Sequence, residues 1–207
     1  MSRPSANPGR SRQKLRTRRL ILEASSRLIA SGRQPTVTAA ADAAGVSRRT
    51  AYRYFPSQEK LLSEAALEGL RPLLESAMAA APSGNSAEGI EARLLAFVRT
   101  LQKLTVKHDA LLRTIVHATV LEPEQGMPKR GTRRVEWVET AVAPLRLRLA
   151  PAAYRRLVSG LTLCVGIEAM LVFRDIRGLS AAQAIAASEW LAMTLLRSTL
   201  HEAGIKS

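Results

Sequence analysis

The chain is short of several residue types, and each shortage excludes a class of protein. A single cysteine, Cys164, cannot form an internal disulfide, so no disulfide framework holds this fold together. Three histidines, His108, His117 and His201, with that one cysteine give no zinc-ligand spacing. No G-x-S-x-G elbow, phosphate-cradling glycine loop or H-E-x-x-H pair occurs, so neither a cofactor nor an enzyme is expected. The longest strongly apolar run, Leu161 to Phe173, is interrupted by Thr162 and Glu168 and is short of the roughly 20 residues needed to cross a bilayer. No apolar stretch follows the basic N-terminus as a leader would require, and a reducing cytoplasm is the expected location. Acids are scarce too: 17 Asp and Glu against 31 Lys and Arg leave a formal net charge of +14 over 207 residues.

That charge is concentrated. Residues 1–60 hold 13 Lys or Arg against Glu23, Asp42 and Glu59, a net of +10, while residues 61–207 hold 18 basic and 14 acidic side chains. A polyanion site therefore belongs to the N-terminal quarter.

Apolar residues recur at three- and four-residue steps along most of the chain, strand-like alternation is missing, and Gly or Pro falls between the periodic stretches. The fold class this predicts is all-α. Residues 1–12, rich in Ser, Pro, Arg and Gly, read as a disordered basic arm. A first helix is expected from about Lys14 to Ala30, two short ones at Val37–Ala44 and Arg48–Phe55, and a longer one from Ser57 that Pro72 should bend or break. Beyond the loop at 81–86, Ile90, Leu94, Phe97, Val98 and Leu101 form one helical stripe, and Asp109 to Val120 another helix. Residues 122–132 read as a flexible connection. Three helices should close the chain, at Arg133–Leu149, Pro151–Arg174 and Ala181–Glu202, the last opened by a Ser180/Gln183 capping box.

The informative segment is Thr36 to Leu62, TVTAAADAAGVSRRTAYRYFPSQEKLL. Thr36 can cap a short helix that stops at Gly45, a residue free to adopt the left-handed conformation of a sharp turn, and Ser47 can cap the next helix two residues on. Helix, tight glycine turn and helix together are the sequence form of a helix-turn-helix. At 100° per residue Ala51, Tyr54 and Phe55 share one face of the second helix, and Arg48, Arg49, Tyr52 and Arg53 the other. The first turn of such a helix meets base edges in the major groove, and Arg grips guanine O6 and N7 with two hydrogen bonds. Arg48 and Arg49 are thus the candidates for reading sequence, with Thr50, Tyr52, Tyr54 and the amides near Ser47 and Ser57 suited to phosphate. A basic protein that binds nucleic acid without reading bases is the alternative from another class.

The AAGVS turn, the YRYFPS that follows it and the Leu-rich helix beyond resemble the N-terminal signature of the TetR family of bacterial repressors. The resemblance implies a three-helix helix-turn-helix DNA-binding domain at 13–60 and a helical effector-binding and dimerisation domain at 61–207. It also implies a homodimer that binds a palindromic operator on double-stranded DNA and answers to a small-molecule effector, with no membrane partner. By that likeness Thr36, Thr38, Ser47, Arg48, Arg49, Thr50, Tyr52, Arg53 and Tyr54 fall at DNA-touching positions and Phe55 at a core position. Three departures stand out: Arg49 replaces a small residue, Gln58 a phosphate-binding Lys, and Ala39-Ala40 an Asp-Ile pair. An effector site is expected among Phe97, Leu101, Leu104, His108, Ile115, His117, Trp137, Val138, Cys164 and Glu168. Glu168 is the sharpest of these, since a carboxylate inside an apolar stretch must pair with a cation, change protonation or reach solvent. Leu161–Phe173 and a final helix bearing Ile185, Trp190, Met193, Leu196 and Leu200 suit a four-helix dimer interface.

Overall fold

The structure, a computed structural model, describes residues 8–82, 84–121 and 133–205. The expected connection at 122–132 and residues 1–7 of the expected arm lie outside the described residues. Within them the chain is helical throughout, with no strand, and divides into two compact units, Met1–Arg71 and Pro72–Ser207.

The first unit contains α1 (Pro8–Ala30), α2 (Val37–Ala44), α3 (Arg48–Tyr54) and α4 (Gln58–Glu68). Helix α1 starts earlier than the Lys14 expected, so residues 8–12 belong to a helix and not to a disordered arm. The reason is local: Pro8 suits a first helical position, where its missing N–H is no loss, and the Arg- and Lys-rich residues that follow are good helix formers. Ile21 and Leu22 of α1, Val37, Ala40 and Ala41 of α2, Ala51 of α3, Phe55, and Leu61 and Ala65 of α4 form one core. Because α4 completes that core, the unit extends to Arg71 and not to residue 60 as expected. Each short helix is closed by its own polar residues. Thr36, Ser47 and Ser57 accept hydrogen bonds from the amides of Ala39, Thr50 and Lys60, each cap stabilising its helix by about 1 kcal/mol.

The second unit contains α5 (Arg71–Ala80, its first residue shared with the boundary), α6 (Ala87–Lys107), α7 (Asp109–Leu121), α8 (Arg133–Ala141), α9 (Pro151–Cys164), α10 (Ile167–Met170) and α11 (Ala181–Glu202). Helix α4 stops at Gly69, and Pro72 occupies the first turn of α5, where its missing N–H does not disturb the helix. Long helices α6 and α11 pack on each other and on α8 and α9, burying Ile90, Leu94, Phe97, Val138, Leu161, Leu196 and Leu200.

Two expected helices are broken. The expected Arg133–Leu149 helix ends at Ala141, and a 3-10 segment, Ala143–Leu147, with Pro144 in its first turn follows. The expected Pro151–Arg174 helix breaks at Val165–Gly166. Gly166 takes φ +89°, a conformation disfavoured for any residue with a Cβ, and the chain turns by 54° into α10 and a π-helical segment, Leu171–Ile176. Polar groups hold the break: the Gly166 amide donates to Gln102 Oε1 at 2.9 Å, and Arg134 donates to the Val165 carbonyl at 2.9 Å. Among the described residues no single helix is long and apolar enough to cross a membrane.

Candidate nucleic-acid interface

The turn between α2 and α3 sets the geometry of the first unit's exposed face. Gly45 adopts φ +67° and caps α2, its amide donating to the carbonyl of Ala41 or Asp42, while the Val46 amide donates to Ala41 at 3.0 Å. Val46 then packs on the core and Ser47 opens α3. The outcome is a helix-turn-helix in which α3 lies across the unit with Ala51 fully buried and Phe55 fully buried just past its end.

Burying those two residues obliges the opposite face of a seven-residue helix to meet solvent. Arg48, Arg49, Tyr52 and Arg53 are all exposed, and Thr50 and Tyr54 are half-buried. Arg48 leans back on Asp42 of α2, Nη2 to Oδ2 at 3.4 Å, with both side chains well exposed. Arg49 has no ion-pair partner among the described residues, so its guanidinium stands clear at the first turn. Arg53 lies 5.3 Å from the centroid of the Tyr54 ring, a cation–π contact that fixes its direction. The Ser47 and Thr50 hydroxyls share a 2.8 Å hydrogen bond, and Ser47 caps α3 with an oxygen lone pair. One hydroxyl proton of that pair therefore stays free to donate. Thr36 is exposed and Thr38 half-buried at the start of α2, and Gln58 is exposed at the start of α4. The first unit thus gathers all the residues expected to touch DNA on α2, α3, the turn between them and the start of α4.

The cations of this unit are not equivalent. Arg18 is engaged with Glu64 and lies 5.5 Å from the Phe55 ring centroid, tying α1 to α4, and Arg19 pairs with Glu23 at 2.7 Å. Lys14 and Arg16, in contrast, are exposed on the N-terminal half of α1 with no ion-pair partner among the described residues. In the sequence they figure only as charge. No local signal separates them from Arg18 and Arg19, which lie in the same acid-free stretch from Arg10 to Leu22 and are paired.

The residues expected at an effector site are distributed through the second unit. Phe97, Leu101, Trp137, Val138 and Cys164 pack in its main core, with Leu104 against it. Burial raises the Cys164 thiol above its ordinary pKa. Trp137 Nε1 is buried with no hydrogen-bond partner among the described residues. His108 caps α6 and is half-buried, Ile115 is half-buried, and His117 is exposed on α7, so none of these three belongs to that core. Glu168 resolves in favour of one of its three alternatives, forming an ion pair with Arg134 of α8. Of the residues expected at a dimer face, Leu196 and Leu200 are fully buried in this chain's own core. Trp190 is 67% exposed, as is Leu163 of the neighbouring α9 at 74%.

A capped helix, a left-handed glycine turn and a second helix with a solvent-facing cationic side define a helix-turn-helix DNA-binding protein. Residues 21–65 match the family model of the bacterial regulatory proteins, tetR family, a stretch running from the buried Ile21 of α1 to the buried Ala65 of α4. Residues 21–65 are thus a DNA-binding domain of the TetR family of transcriptional regulators, and its partner is double-stranded DNA. No curated protein matches the chain.

Proposed function

We propose that this protein is a cytoplasmic repressor that binds a two-fold symmetric operator as a homodimer and is released when a small-molecule effector occupies its second unit. The observation that carries the reading is the first turn of α3, where Arg49 projects beside Arg48 with no ion-pair partner among the described residues. A bare cation at the N-terminal turn of a short exposed helix, beside one held only by an exposed ion pair, suits base edges in the major groove. Thr36, Thr38, Ser47, Thr50, Tyr52, Arg53, Tyr54 and Gln58 are assigned to the phosphates on either side, where hydroxyl, amide and guanidinium donors position a protein without carrying sequence information. Pairing of two copies is supported by Leu163 and Trp190, large apolar side chains exposed on helices α9 and α11, which pack side by side.

Effector control follows from thermodynamics once two binding states exist. A tenfold loss of DNA affinity needs about 1.4 kcal/mol of preferential effector binding to the released state, and the coupling is reciprocal. The deciding experiment enriches duplexes from a random pool, then compares the enriched and scrambled sequences by fluorescence anisotropy at two salt concentrations. A regulator separates them by roughly a thousandfold or more, with a steep salt dependence on both. Equal affinity for the two duplexes would establish the nonspecific alternative instead. Light scattering at micromolar concentration tests the dimer, and a monomer there would remove the symmetric operator from the proposal.

A further inference from the structure

The second unit contains a cavity of about 310 Å³ unconnected with the residues expected to bind an effector. Its apolar wall comes from Met78 and Ala79 of α5 and from Ala81 and Pro82 just beyond, and its polar side from Arg93 of α6 and Thr140 of α8. The volume sits at the lower end of the roughly 300 to 1,000 Å³ typical of small-molecule sites.

Arg93 is the unusual group. Its Nε donates to the carbonyl of Ala141 at 2.8 Å, which anchors the guanidinium at the end of α8. Its Nη2 is buried and has no hydrogen-bond partner, and no carboxylate pairs with it among the described residues. An unsatisfied buried donor costs about 1 to 3 kcal/mol, more when charged, and a carboxylate brought beside the guanidinium would offset part of that cost through its charge. Burial also lowers the Arg93 pKa from its ordinary value, the sign of a cation short of both water and counter-charge. Other arginines of the second unit have carboxylates at their Nη atoms, as with Arg99 on Glu189, Arg113 on Asp175 and Arg197 on Glu91.

Glu75 limits the ligand's charge. It lines the same cavity but is exposed, so it does not neutralise Arg93, yet its carboxylate repels a dianion more than a monoanion. With Nε used and Nη2 buried out of reach of the cavity, what Arg93 offers a ligand is a positive charge that no carboxylate of the described residues balances, and one carboxylate matches it. The Thr140 hydroxyl already donates to the Glu136 carbonyl at 2.9 Å and has no proton for the ligand, so the acid is held by the charge of Arg93, and Met78, Ala79 and Pro82 offer a surface for a short apolar body.

We infer that this cavity binds a small monocarboxylate, its carboxylate beside Arg93 and its apolar body against α5, and that this ligand class supplies the effector of the function proposed above. The site itself stands on the geometry of the cavity, and only the effector role rests on that function. Binding and release are therefore measured separately.

Benzoate and hexanoate are titrated into the full-length protein by isothermal calorimetry beside their neutral amides. Saturable binding of at least one acid at millimolar concentration or below is expected, with the amides at least tenfold weaker. Arg93→Gln should weaken the acid at least tenfold. Ala79→Phe, which fills the cavity from an exposed position and leaves Arg93 in place, should do the same, with circular dichroism verifying that both variants are folded. Amides binding as tightly as acids, acid affinity unchanged in both variants, or no saturable binding of either acid would overturn the site. If the acid binds through Arg93 but leaves operator affinity unchanged in the anisotropy assay, the site stands and effector control by this ligand class is overturned.

Discussion

Removing Arg49 should damage specific DNA binding more than removing Arg48, and the structure supplies the size of the difference. Each arginine, if it grips a guanine edge, contributes about 1 to 3 kcal/mol of discrimination, so either change to Ala should weaken the enriched duplex roughly 5- to 150-fold. The two differ in what they leave behind in the free protein. Arg48 must first give up Asp42, 3.4 Å away, whereas Arg49 gives up nothing but water. An ion pair this exposed, 66% and 59% for the two side chains, is worth about 0 to 1 kcal/mol. Arg48→Ala loses the base contact but no longer has that pair to break, so its loss should be smaller than that of Arg49→Ala by up to roughly fivefold. Asp42→Asn removes the competitor and should tighten DNA binding modestly in the native background and less in the Arg48→Ala background. The assay is anisotropy on enriched and scrambled duplexes with the four proteins of the Arg48/Asp42 cycle plus Arg49→Ala. Equal weakening of both duplexes by Arg48→Ala and Arg49→Ala would refute the reasoning and make these side chains phosphate clamps. Weaker binding by Asp42→Asn would refute the competition argument by itself.

Four further outcomes are expected. Deleting residues 1–12 should weaken enriched and scrambled duplexes alike and flatten the plot of log K against log salt by about 0.9 for each phosphate no longer neutralised, and an unchanged slope would show that this segment touches no DNA. Gln102→Leu strands the Gly166 amide and the Ser188 hydroxyl, two groups buried at 2.9 and 2.6 Å from the amide side chain. It should destabilise the second unit by about 1 to 3 kcal/mol per orphaned group in urea denaturation, with Ser188→Ala recovering part of the loss. The Cys164 thiol, raised by burial, should react with iodoacetamide far more slowly in the native protein than in urea at about pH 8, and equal rates would show the core around it to be open. Hydrogen bonds from Arg113 lower the Asp175 carboxyl, so this pair's contribution is present above the ordinary carboxylate pKa and fades as pH falls through the lowered value. An NMR titration should show the Asp175 pKa rising toward normal in Arg113→Ala.

What was legible in the sequence was whatever depends on neighbours within a turn or two. Thr36, Ser47, Ser57 and the Ser180/Gln183 pair could be read as caps because a cap needs only a side-chain oxygen and an amide three residues on. Gly45 was legible for the same reason, and with it the helix-turn-helix and the division of α3 into a packed and a solvent face. The start of α1 differs from expectation because Ser, Pro and Gly suggest disorder where a proline at the first helical position and a run of Arg and Lys extend the helix. Gly166 was visible, but whether it would be tolerated inside a helix or would break it depends on Gln102 and Arg134, 64 and 31 residues away from the groups they hold. Gln102 itself carried a signal, lying four residues beyond Val98 and eight beyond Leu94 on the buried stripe of α6. Which cations are left for DNA was beyond local reasoning, since Arg18 is withdrawn by Glu64, 46 residues on, and Arg16 is not. Arg93 was one basic residue among many until α5 and α8 enclosed it.

The shortness of α3 limits how much genetic text one copy can recognise. Seven residues rising about 1.5 Å each make a rod of about 10 Å, the length of roughly three base pairs at 3.4 Å each. A three- or four-letter word recurs by chance about every 64 to 256 base pairs, and two such words held at a fixed spacing recur about every 4,000 to 65,000, against the roughly 10⁶ or more competing positions of a genome. Two α3 helices reading bases would therefore still find many chance matches. For the dimer proposed above, the remaining discrimination would come from elsewhere: from the stiffness and groove width of the DNA between the two words, or from several pairs of molecules occupying adjacent words.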